Sequence, residues 1–159
     1  MNLNIHSPLP NRKDWRIGCI GSGFIMNDCH LVAYNKAGFN PVAIASRTQI
    51  NAAKCAEQHN ITTVHKSIEQ LLDDESIEVL DLAVPPDNQL SIIKDACERG
   101  IVKGILAQKP LGSNYSEAAE AVDACEQAGI TLAVNQNMRY DQSVRAGKTL
   151  LINGTIGDP

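Results

Sequence analysis

The feature that most constrains this chain is a repeated alternation of short, β-rich apolar runs with segments of helical length. Residues 15–20, 41–45, 63–65, 79–84, 103–107 and 131–134 read as strands. Residues 24–37, Gln49–His59, a short stretch from Ser67, 89–99, a segment from Asn114 through Ala128, and 142–153 read as helices. Gly38, Gly100, Gly129 and Gly154 stand where helices stop, and Ser67 and Asn114 each precede a Gln or Glu by three residues, as helix caps do. Residues 79–84 are almost wholly apolar, as a strand covered on both faces must be. Six strands separated by helices imply parallel crossovers, so the expected fold is α/β, a doubly wound and mostly parallel six-stranded sheet. A closed barrel of eight such units takes about 250 residues, and the chain has 159.

The expected organisation is a flexible lead-in over residues 1–14, marked by Asn2, Asn4, Pro8, Pro10 and Asn11, one domain over 15–153, and the start of a further domain at 154–159. A net charge of −4 argues against nucleic acid or an anionic membrane as a general partner, while leaving room for a local basic pocket. No apolar run approaches the roughly 18 residues needed to span a bilayer. Residues 1–14 lack the apolar stretch of a secretion signal, so the expected location is cytoplasmic. Cys19, Cys29, Cys55, Cys97 and Cys125 are odd in number and widely spaced, which reads as reduced core cysteines.

The first strand runs into Gly21-Ser22-Gly23-Phe24-Ile25-Met26. Gly21 permits a tight turn, and Gly23 lets bare backbone approach a pyrophosphate. A helix beginning near Phe24 aims its free N–H groups at that anion. Met26 replaces the third glycine of the usual fingerprint, at a position that governs helix–strand packing. A merely structural glycine turn is the competing reading.

The end of the second strand selects between the two dinucleotides, since an acid there bonds the ribose hydroxyls and repels a 2′-phosphate. Here the residues are Ala45-Ser46-Arg47-Thr48. A hydroxyl donor and a fork-shaped cation favour NADP; Arg47 as a solvated charge stacked on adenine would leave NAD acceptable.

The fourth strand ends in Val84-Pro85-Pro86-Asp87-Asn88-Gln89, and the fifth in Ala107-Gln108-Lys109-Pro110. Both lie at the carboxyl edge of the sheet, where open α/β sheets bind ligands. A Lys-Pro pair is elsewhere a trivial surface turn; here its place makes Lys109 a candidate for catalysis.

With Gly21-Ser-Gly23-Phe-Ile followed by His30, Ala-Ser-Arg after the second strand, Pro85-Pro86, Gln-Lys-Pro-Leu and Asn137-Met-Arg139-Tyr140, the sequence resembles the glucose–fructose oxidoreductase/inositol dehydrogenase (Gfo/Idh/MocA) family from Arg16 onward. The resemblance implies a Rossmann domain joined to a C-terminal substrate domain, acting on a sugar or cyclitol hydroxyl. It implies that Lys109 orients the reacting hydroxyl beside the nicotinamide, and that Pro85, Pro86 and Gln108 line the nicotinamide ribose. Asn137 and Arg139 match the family's sixth-strand motif, beside the cofactor.

Three departures stand out. Gln108 replaces the family's usual glutamate, and Gln89, counted with the expected cofactor-binding residues, stands where many relatives carry histidine. The sequence ends where relatives enter the substrate domain, and the aspartate and histidine that relatives use for proton transfer lie beyond it. The expected partners are a small sugar or polyol, and a second copy of the chain through the missing domain.

Of the remaining polar residues, His30 reads as a surface or packing residue, with proximity to the cofactor as the alternative, His59 and His65 as isolated from any second metal ligand, and Asp73-Asp74-Glu75 as a solvated helix end. No cluster has metal-ligand spacing. Two functional classes remain open at this point: the nucleotide-binding domain of an NAD(P)-dependent oxidoreductase, or a non-catalytic NAD(P)-binding module or inactive fragment.

Overall fold

The computed structural model describes residues 3, 5–7 and 9–157. Two compact units divide them: Arg12–Asn135, and the described residues among 1–11 together with 136–157.

The larger unit holds six parallel strands: β1 (Arg16–Ile20), β2 (Asn40–Ala45), β3 (Thr63–Val64), β4 (Val79–Leu82), β5 (Gly104–Gln108) and β6 (Thr131–Asn135). Their order across the sheet is β3-β2-β1-β4-β5-β6, the doubly wound order of dinucleotide-binding folds. Ile20 pairs with both Ala45 and Leu82, which brings the carboxyl ends of β1, β2 and β4 level. The chain order reverses between β1 and β4, and a crevice opens at such a switch point.

Side-chain alternation along the strands divides the core between two faces. Ile17, Cys19 and Ile44 pack with Leu31 of α1 (Leu31–Ala37) and with Ala52, Cys55 and Ala56 of α2 (Gln49–His59). Ile20, Ala45, Leu80 and Leu82 pack with α3 (Ile68–Leu72), α4 (Pro86–Arg99) and α5 (Tyr115–Ala128) through Leu71, Ile93 and Ala121. Burying each large aliphatic side chain contributes about 1.5–3 kcal/mol.

Caps follow the sequence signals. Ser67 accepts from the Gln70 N–H, Asn114 from the Glu117 N–H, and Gly38, Gly100 and Gly129 end their helices in left-handed backbone. Some boundaries differ from expectation. Residues 24–37 are not one α-helix: a π-helical turn, Ile25–His30, precedes α1. α4 begins at Pro86, three residues early, because proline suits a first helical turn that lacks N–H partners. Ala83 and Val84 have left β4.

Arg12, in the expected lead-in, bonds both oxygens of Glu78, and its guanidinium lies 3.6 Å from the Trp15 ring centre. In the smaller unit a 3₁₀ turn, Asn137–Tyr140, leads to α6 (Gln142–Ile152), capped by Asp141. Thr149 and Arg145 of α6 donate to the carbonyls of Leu3 and His6. The remaining lead-in residues Met1, Asn2, Asn4 and Pro8, and Asp158 and Pro159 at the expected domain start, lie outside the described residues. No helix among the described residues is long and apolar enough to cross a membrane.

Candidate functional site

The glycine turn after β1 divides its work between two residues. Gly21 has φ +107°, and a Cβ there would lie 2.5 Å from the Ala83 carbonyl oxygen. Its N–H donates to the Ala45 carbonyl at 2.9 Å, tying the turn to the end of β2. A Cβ at Gly23 would meet nothing within 4 Å. That room over bare backbone is what a pyrophosphate requires. Met26 is fully buried in the core beneath, so it does the packing expected of the third fingerprint position.

The turn opens on a cavity of about 630 Å³ at the switch point, within the range of small-ligand sites. Gly21, Ser22, Gly23, Ser46, Arg47, Val84 and Pro85, all picked out from the sequence, line it together. Ser22 Oγ donates to Ser46 Oγ at 2.9 Å, which leaves the Ser46 proton for another acceptor. Thr48, given no role from the sequence, also lines the cavity, as do Asn51 and Lys66, which sequence reasoning missed. Lys66 arrives from the β3–α3 connection, and only the sheet order brings it there. The acids in the lining are Glu69 and Asp95, neither at the end of β2. Hydrogen bonding from Ser67 holds the Glu69 carboxyl below its ordinary range.

Other expected site residues stand apart from this lining. Phe24 and Ile25 are exposed at the start of the π-helical turn. Pro86 is the first residue of α4. Gln108 ends β5, and Lys109 follows it with its side chain exposed and its N–H donating to Gln108 Oε1 at 2.8 Å. Asn137 and Arg139 lie on the 3₁₀ turn of the smaller unit. Gln89, expected on the cofactor surface, has no exposed surface at all. It sits beneath the Lys-Pro turn and donates from Nε2 to the Pro110 carbonyl at 2.8 Å. The Lys109–Pro110 peptide is cis.

Below the carboxyl ends of β4, β5 and β6 lies a polar cluster that the sequence did not announce. Asp81 of β4 is fully buried; its carboxylate accepts from His30 Nδ1 at 2.8 Å and from the Tyr34 hydroxyl at 2.6 Å. Burial and the neighbouring Asp81 push the Tyr34 phenol far above its ordinary range, so it remains a donor. His30 is therefore neither a surface residue nor simple packing. Its Nε2 faces Gln108 Nε2 at 3.3 Å and Asn135 Nδ2 at 2.7 Å. The signal for this cluster was an acid in the middle of an apolar strand, which demands a partner when buried.

His65 pairs with Asp74 at 3.1 Å and Asp73 with Arg99 at 2.7 Å, while Asp73 and Glu75 remain exposed. His59 is buried against Asn35. One expectation is corrected: Cys29 is exposed, unlike Cys19, Cys55 and Cys125. Among the described residues no three His, Cys, Asp or Glu side chains converge as a metal site.

Residues 15–136 match the family model of the Gfo/Idh/MocA oxidoreductases, described as an oxidoreductase family with an NAD-binding Rossmann fold. The chain belongs to this family. Similar curated proteins include the D-apiose dehydrogenase of Paraburkholderia graminis, 26% identical over 92% of this chain and 39% of that protein. Another is the D-xylose 1-dehydrogenase (NADP(+)) 2 of Haloferax volcanii, 31% identical over 72% of this chain and 35% of that protein. Among solved structures, a levoglucosan dehydrogenase in complex with NADH and levoglucosan superposes with TM-score 0.82 at 28% identity, over 91% of this chain and 40% of that one. The chain thus spans about two-fifths of the lengths of these relatives.

Proposed function

We propose that the family's NAD(P) site in this chain is the cavity at the β1–β4 switch point, that it prefers NADP, and that the chain serves hydride transfer to or from a sugar- or cyclitol-like alcohol. The observation that carries the reading is the open backbone at Gly23 facing a cavity walled by Ser46 and Arg47. The pyrophosphate lies over Gly21–Gly23 and meets the N–H groups that open the π-helical turn. Ser46 and Arg47 hold the 2′-phosphate, with Lys66 near enough in the lining to add a third donor.

The nicotinamide end lies past Val84 and Pro85, toward the carboxyl ends of β5 and β6. When bound, the cofactor supplies the hydride acceptor or donor. Lys109 donates a hydrogen bond from its ammonium to the substrate hydroxyl and holds it in reach. The buried clasp from Gln89 to Pro110 keeps that turn in place. Gln108, where relatives carry an acid, leaves Lys109 without a neighbouring negative charge on that side. The sugar-like substrate is supported by the apiose, xylose and levoglucosan dehydrogenases among the relatives.

A titration of the purified chain with NADPH and with NADH, followed by nicotinamide fluorescence, tests the reading. A hydrogen bond to a charged group contributes about 1.5–3 kcal/mol, so NADPH should bind at least about tenfold more tightly. Arg47→Asp should abolish that preference and leave NADH binding nearly unchanged. Equal affinities would remove the NADP assignment, and binding of neither would remove the cavity assignment.

A further inference from the structure

The strongest unassigned feature of the molecule is the arrangement around His30. Its imidazole is buried between three strands and makes hydrogen-bond contacts on both nitrogens. On the Nδ1 side stands the carboxylate of Asp81, which also accepts a hydrogen bond from the Tyr34 hydroxyl. A carboxylate that already receives a hydroxyl can only accept, so the Nδ1 nitrogen carries the proton. On the Nε2 side stand two carboxamide nitrogens, Gln108 Nε2 and Asn135 Nδ2. Carboxamide nitrogens only donate, so Nε2 must present its lone pair. The two sides agree on one tautomer, neutral and protonated at Nδ1.

That tautomer dictates which way two flippable amides face. Gln108 turns its nitrogen to His30 and its Oε1 to the backbone N–H of Lys109, at 2.8 Å. Asn135 turns its nitrogen to His30, which leaves its Oδ1 as an acceptor on the other side. Both residues are the last of their strands, β5 and β6, next to the Lys109 turn. A hydrophobic residue at position 30 would take from Asn135 the acceptor that orients its amide, and would leave Gln108 held by the Lys109 N–H alone.

We infer that His30 is a positioning residue: through Asp81 it fixes the amide orientation of Gln108 and Asn135, and through Gln108 the backbone of Lys109. This rests on the function proposed above for its effect on cofactor and substrate, but not for the geometry itself. His30 touches neither; it acts through the two amides.

Nitrogen-edge NMR of the ¹⁵N-labelled chain tests the geometry without any ligand. Long-range ¹H–¹⁵N correlations should report His30 protonated at Nδ1, and the side-chain amide signals of Gln108 and Asn135 should lie away from those of free carboxamides. In His30→Leu both pairs of signals should move toward free values, and affinity for NADPH should drop about tenfold. In His30→Gln, whose amide can offer an oxygen to Gln108 and Asn135 and a nitrogen to Asp81, the signals and much of the affinity should return. If His30→Leu does not fold, the wild-type tautomer and the His30→Gln spectra still decide. An Nε2-protonated His30, or amide signals indifferent to the residue at 30, would overturn the inference. A wild-type chain that shows the expected tautomer but binds neither NADPH nor NADH would instead overturn the cofactor reading alone.

Discussion

Gln89 and Pro110 are joined by a 2.8 Å hydrogen bond that runs from a fully buried carboxamide to the carbonyl one residue past Lys109. The bond makes a sharp prediction, because glutamate has nearly the shape of glutamine but no N–H. Gln89→Glu puts a carboxyl oxygen against the carbonyl oxygen of Pro110. Ionised, it should destabilise the fold by about 3 kcal/mol at pH 7, the cost of an unpaired buried charged group. Protonated, its O–H can donate to Pro110. The folded pKa of the new group is thus raised, so its penalty is absent below the unfolded value of about 4.3 and grows as pH rises past it. Urea unfolding at pH 4 and pH 7 checks this; a deficit independent of pH would mean that Gln89 does not hold the turn.

The two glycines of the phosphate turn should fail in different ways. Gly21→Ala forces a side chain into φ +107° and to within 2.5 Å of a backbone oxygen, so the fold itself should lose several kcal/mol, roughly 3 or more. Gly23→Ala meets nothing in the protein, and its stability should change by no more than about 1 kcal/mol. Its methyl group stands instead where the pyrophosphate is proposed to lie, and NADPH affinity should fall at least about tenfold. Thermal unfolding and cofactor titration of the two variants separate the effects. A Gly23→Ala chain that binds NADPH as wild type does would move the pyrophosphate elsewhere.

Glu78 joins the lead-in to the sheet. It accepts from Lys103 Nζ at 2.9 Å, from Arg12 Nη2 at 2.9 Å and from the Arg16 N–H at 3.3 Å. Those bonds, the one from Lys103 foremost, hold its carboxyl down at about 2, from an ordinary 4.5. A depressed carboxyl contributes stability above its unfolded value that is lost as pH falls toward the folded one. Wild-type stability should therefore decline between about pH 4.5 and 2. Glu78→Gln should flatten part of that decline, and added salt should do so too, because the group is near the surface. Urea midpoints measured across that range provide the check, and identical slopes for the two proteins would dismiss the network.

The sheet was legible in the sequence because its signals are local. Each strand carries its own apolar run and each helix its own cap or glycine stop, so Ser67, Asn114, Gly100 and Gly129 could be placed one segment at a time. The glycine turn was legible for the same reason. The polar cluster was not, since Asp81 and His30 are 51 residues apart and meet only because β4 lies beside β1. Lys66 entered the cavity wall by the same route, through the place of β3 at the sheet edge. Gln89 was misplaced because a turn with two prolines hides a helix start. Once α4 begins at Pro86, Gln89 lies a turn inside the helix and faces inward.

Cysteine chemistry offers a last test of the packing. Cys19 is wholly buried, and burial raises its thiol well above the ordinary range. Burial likewise pushes Cys55 up to about 11 and Cys125 up to about 12, the latter with its sulfur 3.7 Å from that of Cys97. The thiolate is the reactive form, so these three should be slow toward a disulfide reagent in the native state. Cys29, exposed on the π-helical turn, should react first and as a single fast equivalent. Cys29→Ser should remove that fast phase and leave the slower ones intact. A fast phase that survives the substitution would mean that the helices over one face of the sheet open far more readily than their burial implies.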